Sequence, residues 1–221
     1  ETYADPAGDA IIRGVTKEEA DRERIVLTGD LGEKLLVTVR EDVEKHTYVQ
    51  ENFVKDEAGE YTYLADGQNI TVKGVDVSKY QESIDWNKVA ADGVEFAMIR
   101  LGYRGWSDGA LCLDERFVEN IEGAQAAGID VGVYFFTQAV NEKEARAEAE
   151  YVIENLKGYE LQMPIACDVE DIDNGTGRMD NLSAVQRSKN VAVFCQTIKD
   201  AGYDAMIYCN MYYEAYKLNL E

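Results

Sequence analysis

Pro164-Ile165-Ala166-Cys167-Asp168-Val169-Glu170-Asp171 begins as an apolar run behind a proline and ends in three carboxylates within four residues. A run of this length, left through Asp171-Ile172-Asp173-Asn174-Gly175, predicts a buried strand that stops at a polar rim. Residues two apart on a strand share a side, so Asp168 and Glu170 point together while Val169 turns away. Their Cα atoms then lie about 6–7 Å apart, near enough for each carboxylate to raise the other's proton affinity. Such a pair can keep one acid protonated near neutral pH beside a charged neighbour. The same residues equally suit an acidic strand-to-loop exit, common in a chain this acidic.

Outward from this stretch the pattern alternates strand and helix. Upstream, Gly74-Val75-Asp76-Val77-Ser78 predicts a strand, and Ile84 to Val89 has helical character until Gly93. Glu95 to Leu101 is the next apolar strand. Asp114 is a candidate N-cap for a helix with Phe117, Ile121 and Ala124 on one face, closed by Gly128. Val131 to Phe136 is again a strand, and Asn141 with Glu144 caps an Ala/Glu helix that Gly158 ends. Downstream, a helix from Ser183 to Ala201 leads through Gly202 to the strand Ala205 to Cys209. Five apolar strands alternating with helices predict a parallel sheet covered by helices, as a doubly wound sheet or a (β/α) barrel. No Gly-rich phosphate loop follows the first strand, which weighs against the nucleotide-binding version. Polar and aromatic residues gather at the strands' carboxyl ends: Asp76, Tyr103, Gln138, Asp168 with Glu170, and Asn210. That is where barrel active sites assemble, so the expectation is an irregular, TIM-like (β/α) barrel.

Residues 1–72 differ, with short β-prone runs (24–28, 34–39, 47–49, 61–64, 69–72) separated by Gly, Asp and Asn. Thr16-Lys17-Glu18-Glu19 has the spacing of a capping box. We expect a small, mostly-β module over 1–72, with the barrel over 73–221. The chain has 221 residues, 43 acidic against 22 basic, and a formal net charge of −21. A field of that sign repels phosphate backbones, so nucleic acid is not expected as a partner. No apolar run is long enough to span a membrane. The cysteines Cys112, Cys167, Cys195 and Cys209 form no CxxC, and the single His46 lies outside every motif. Neither a metal, a cofactor nor a histidine-based triad is therefore expected. Chemistry falls to carboxylates, tyrosines and amides.

An Asp on the first strand and an Asp-x-Glu on the fourth, ringed by tyrosines, suit glycosidic cleavage. That reaction needs a proton donor for the leaving oxygen and a carboxylate for the developing positive charge. Gly74-Val75-Asp76-Val77-Ser78-Lys79-Tyr80-Gln81 with Ile84-Asp85-Trp86 resembles the opening of family 25 glycoside hydrolases, the lysozymes (N-acetylmuramidases) of bacterial and phage type. The resemblance continues through Phe96–Arg100, 114–120, Ala127–Phe136, Pro164–Glu170, Gly202-Tyr203 and Met206–Tyr208. It implies five β/α units closed by three further strands, and hydrolysis of the β-1,4 bond from N-acetylmuramic acid to N-acetylglucosamine in peptidoglycan. It also implies an extracellular or cell-surface setting. Carried over, Glu170 is the general acid, Asp168 supports the positive centre or the acetamido group, and Asp76 lines the same site. Tyr103, Tyr134, Phe136, Gln138, Tyr208 and Asn210 are candidate substrate contacts; core packing is the other reading for the aromatic ones. Trp86 is expected in the core, and Trp106 on a loop within reach of substrate. The family's closing strands and a further Asp have no counterpart here, so the chain is expected to be a segment of a longer protein. A cell-wall glycan-binding barrel that does not cut, and a chitinase-like glycosidase, are the competing readings.

Overall fold

The computed structural model describes residues 2–4, 11–13, 24–28, 34–39, 46–172 and 175–219. Contacts group the chain into two units, 1–47 together with 210–221, and 48–209. The first holds two antiparallel hairpins, β1 (Thr2–Ala4) with β2 (Ile11–Arg13) and β3 (Arg24–Thr28) with β4 (Lys34–Thr38). A π-helical turn, Tyr213–Lys217, completes it, and the Tyr216 hydroxyl donates to the Leu36 carbonyl at 2.8 Å. The capping-box spacing at 16–19 lies outside the described residues.

The second unit opens with a meander, β5 (Phe53–Lys55), β6 (Tyr61–Ala65) and β7 (Gln68–Asn69). Tyr63 is its anchor, its ring edge-on to Tyr48 and Phe53, each 4.9 Å away. Lys73 then reaches Glu60 of the meander at 2.8 Å and Asp92 at 2.7 Å. These ties make the meander part of the second unit. The unit boundaries fall at 47/48 and 209/210.

The remainder alternates as the sequence predicts: β8 (Gly74–Val77), α1 (Trp86–Ala91), β9 (Phe96–Arg104), β10 (Leu111–Leu113), α2 (Phe117–Ala126), β11 (Asp130–Phe136), α3 (Glu142–Asn155), β12 (Ile165–Asp168), α4 (Ala184–Asp200) and β13 (Ala205–Tyr208). Strands β8, β9, β11, β12 and β13 run parallel in that order, and β10 adds antiparallel beside the outer half of β9. The result is a mixed α/β fold with a parallel central sheet. Among the described residues no closed barrel forms, since β13 pairs with β12 alone.

One face of the sheet is dry. Ile99, Leu101, Val131, Val133, Phe135 and Ile165 are fully buried there with Ile121, Val152, Phe194 and Ile198 of the helices. Burying each such side chain contributes about 1.5–3 kcal/mol. Gly123 lets α2 lie against Trp86, since a Cβ at that position would collide with the indole. Trp86 is accordingly core, as expected. The caps Asp85, Asn141 and Ser183 each accept a backbone N–H of their helix. Asp114 is the exception: Arg116 holds the cap position, without a side-chain bond.

Candidate active site

Strand register fixes which side chains share the other face. Asp76 pairs with Met98, Arg100 with Tyr134, Tyr134 with Ala166, and Phe136 with both Tyr103 and Asp168. Asp168 in turn pairs with Tyr208. Paired residues on neighbouring strands point the same way, so these side chains converge on one side of the sheet. Tyr103 joins them through an irregularity. Tyr134 pairs with Arg100 but Phe135 pairs with Gly102, leaving Leu101 as the extra residue of a bulge. Leu101 and Gly102 then both sit on the helix side, and Tyr103 swings back to the side of Arg100.

These residues line a cavity of about 720 Å³, with Met98, Ala166 and Met206 as its apolar floor. Asp76, Asp168 and Glu170 all face it. Strand β12 stops at Asp168, and Glu170 stands two residues beyond, less buried, while Val169 turns into the core. Asp168 is 7 % exposed, and its Oδ1 has no hydrogen-bond partner among the described residues. Burial pushes its carboxyl up to about 7; the charges of Glu170 and Asp76 add to the rise, and Arg100 opposes it. The Tyr208 hydroxyl is raised by the charge of Glu170 first, then by burial, then by Asp168 and Asp76. All three carboxylates therefore act on one phenol. Tyr134 is pushed up to about 12, chiefly by burial, with Asp168 and Asp76 adding and Arg100 and a hydrogen bond to Ser78 opposing.

The wall beside β8 is a turn that the sequence builds locally. Ser78 and Gln81 form a capping box, the Ser78 N–H donating to Gln81 Oε1 at 2.7 Å. This holds Lys79 and Tyr80 against the cavity, with Tyr80 and Trp106 well exposed at its mouth. Asp114 braces the wall from beneath: its Oδ2 accepts from Arg100 Nε at 2.6 Å and from the Lys79 backbone N–H at 3.2 Å. The residue read as a helix cap is thus the anchor of a cationic side chain in the site.

Tyr103, Tyr134, Phe136 and Tyr208 all line the cavity, as does Trp106. Gln138 does not face it. Its side chain is fully buried, donating through Nε2 to the Glu170 carbonyl at 3.4 Å and accepting from the Met179 N–H at 3.3 Å. Its own N–H donates to Glu148 Oε1 at 3.3 Å. Glu148, also fully buried, pairs with Arg104 Nε at 2.7 Å and accepts from Thr137 Oγ1 at 2.6 Å. Burial pushes the Glu148 carboxyl up to about 6 against those partners. Gln138 is therefore a strut beneath Glu170 rather than a sugar contact. Asn210 falls in the other unit, where its carboxamide oxygen accepts the Tyr213 N–H at 2.9 Å. Arg100, Lys79, Tyr80 and Ser78 were not picked out from the sequence, although all but Arg100 stand in the Asp76–Gln81 motif.

The chain is similar to known proteins. Residues 75–220 match the profile of glycosyl hydrolases family 25. The autolytic lysozyme of Clostridium acetobutylicum is 30 % identical over 149 residues, 67 % of this chain and 41 % of that protein. Lysozyme M1 of Streptomyces globisporus is 34 % identical over 107 residues, 47 % of this chain and 34 % of that protein. The chain thus spans less than half the length of the curated relatives it matches. Among solved structures, a family 25 glycosyl hydrolase from Bacillus anthracis superposes with a TM-score of 0.55 at 28 % identity, covering 66 % of this chain and 64 % of its own. The bacterial lysozyme from Streptomyces coelicolor gives 0.52 at 31 %, covering 62 % of each chain. The modular autolysin LytC of Streptococcus pneumoniae covers 98 % of this chain and 48 % of its own, at 22 % identity and a TM-score of 0.59, a likeness of fold. With two thirds of its length inside the family profile, this chain belongs to glycosyl hydrolases family 25.

Proposed function

We propose that the protein hydrolyses the β-1,4 bond between N-acetylmuramic acid and N-acetylglucosamine in peptidoglycan, acting outside the cell at the wall. The observation that carries this reading is the convergence of Asp76, Asp168 and Glu170 on one aromatic-lined cavity. Glu170, the more accessible of the close pair, donates its proton to the glycosidic oxygen. The C1–O bond breaks with its electron pair leaving on that oxygen. Positive charge then grows on the sugar ring, the Asp168 carboxylate stabilises it directly or through the acetamido group, and a water adds its oxygen to C1 and returns a proton to Glu170. The proton has to be on Glu170 and off Asp168 when substrate is bound; the charge developing on the sugar favours that distribution. Asp76 adds negative potential, and Tyr134 and Tyr208 offer flat faces and hydroxyls to the pyranose. The five parallel strands belong, in this reading, to a (β/α) barrel wall, and the cavity that residues of β8 and β12 line together supports it.

Clearing of purified peptidoglycan is the test, with Glu170→Gln as the control. The wild-type protein should clear it, and removal of the proton donor should slow clearing by about 10²–10⁴-fold. Reducing ends released should be muramic acid; glucosamine ends would point to a chitinase-like cut. Binding without clearing would sink the enzymatic reading and leave a glycan-binding protein.

A further inference from the structure

We propose that Arg178 is a positioning residue for Trp106: its guanidinium ties the loop that carries this indole to the loop that follows Glu170, so the sugar-binding lip of the cavity and the proton donor are held as one piece. The inference rests on the function proposed above and deepens it, by naming what sets the grip on the glycan.

The loop from Gly105 to Ala110, between β9 and β10, is closed on itself. The Gly105 N–H donates to the Ala110 carbonyl at 2.7 Å, and the Gly109 N–H donates to the Gly105 carbonyl at 3.0 Å. Asp108 tightens the turn, its Oδ1 accepting from the Ala110 N–H at 3.0 Å. A loop bonded in this way moves as a body, and where it is anchored decides where its tip points. Trp106 stands on it, lines the cavity and is 47 % exposed, so a broad aromatic surface is open to a pyranose. The other tryptophan, Trp86, is in the core.

Two guanidiniums hold the loop at Gly109. Arg104 Nη1 donates to the Gly109 carbonyl at 2.7 Å, while Nη2 and Nε bond the Glu144 carbonyl and Glu148 of α3. Arg104 ends β9, however, so it pins the loop only to the strand it springs from and to α3. Arg178 comes from the loop after β12 and packs against Gly109: a Cβ there would lie 2.8 Å from its guanidinium carbon. Gly109 also has φ +72°, so two separate demands fall on this glycine. Arg178 is itself fixed, donating to both oxygens of Glu144 at 2.9 Å and to the Gln138 carbonyl at 3.1 Å. A two-point pair of this kind sets orientation as well as position. The next residue, Met179, donates its N–H to Gln138, whose Nε2 bonds the Glu170 carbonyl. Contacts therefore run without a break from the Trp106 loop through Arg178 to the backbone of the acid.

Tryptophan fluorescence tests this on the folded protein without substrate, with Trp106→Phe measured alongside to isolate the Trp106 signal. In wild type the anisotropy of Trp106 should decay with tumbling of the whole protein. In Arg178→Met a faster nanosecond component should appear, and acrylamide should quench the indole about twofold more strongly. Arg178→Lys keeps the charge but not the two-point pair, so it should recover little. Glu144→Gln, which keeps the arginine and weakens its anchor, should act in the same direction and carries the test if Arg178→Met does not fold. On peptidoglycan, Trp106→Ala and Arg178→Met should each raise KM about 10-fold, and the double variant no further than either, because both remove the same grip. An indole that stays fixed and shielded in a variant whose melting curve shows a folded protein, or KM effects that multiply in the double variant, would overturn the proposal. Should the wild-type protein fail to clear peptidoglycan, the proposed function falls while the fluorescence still decides the role of Arg178.

Discussion

Asp168 shows what one side chain gives up for its position. Its carboxyl is raised from 3.8 to about 7, so the folded state binds a proton that the unfolded chain has already released between those values. Its cost to stability is absent below pH 4, grows as pH rises through this window, and is full above 7. Asp168→Asn removes the charge and keeps the shape, so it should stabilise the fold at pH 8 by about 2–4 kcal/mol. Urea denaturation at pH 8 and pH 3.5 checks this: the gain should be present at the first and nearly gone at the second. Activity should be lost in the same variant, as expected where a site is held against stability. The Asp-x-Glu pair was legible because period-two geometry puts such residues on one side. Arg100 was not, because an arginine inside an apolar strand carries no local sign of what it faces.

Between elements, the loop after β11 supports the one after β12. Gln138 bonds the Glu170 carbonyl and the Met179 N–H, and Arg178 bonds the Gln138 carbonyl at 3.1 Å and both oxygens of Glu144 at 2.9 Å. Gln138→Ala should therefore lower kcat by about 10-fold through misplacement of Glu170, with KM changed little. Kinetics on peptidoglycan alongside a melting curve separate that outcome from general destabilisation, and an unchanged kcat would count against the strut. The alternation of strands and helices was legible from apolar runs and glycine stops. The strand read at 95–101 was too short and β10 was unseen, although Asp108-Gly109 is a turn dipeptide of the kind that joins such strands. Asp114 misled for a chemical reason: a carboxylate that can cap a helix can as readily anchor an arginine. The placing of Gln138 at a strand's carboxyl end was right in position and wrong in direction.

At the scale of the molecule, the net charge of −21 would, under the proposed function, meet a wall polymer whose stem peptides also carry carboxylates. Like-charge repulsion slows encounter at low ionic strength, and salt screens it. Clearing should accordingly speed up as salt rises from about 10 to 150 mM, where the Debye length shrinks from about 30 to 8 Å. A monotonic slowing over that range would count against the repulsion. Residues 1–47 group with residues 210–221, a pairing that composition does not signal. The Tyr216–Leu36 hydrogen bond joins residues 180 positions apart. During synthesis the early hairpins leave the ribosome long before the turn that bonds to them, whereas 48–209 is continuous and can condense by itself. Loop-closure entropy and vectorial translation thus point the same way: residues 48–209 can mature as one continuous stretch, while the stretch before them waits for residues 210–221 before its contacts form.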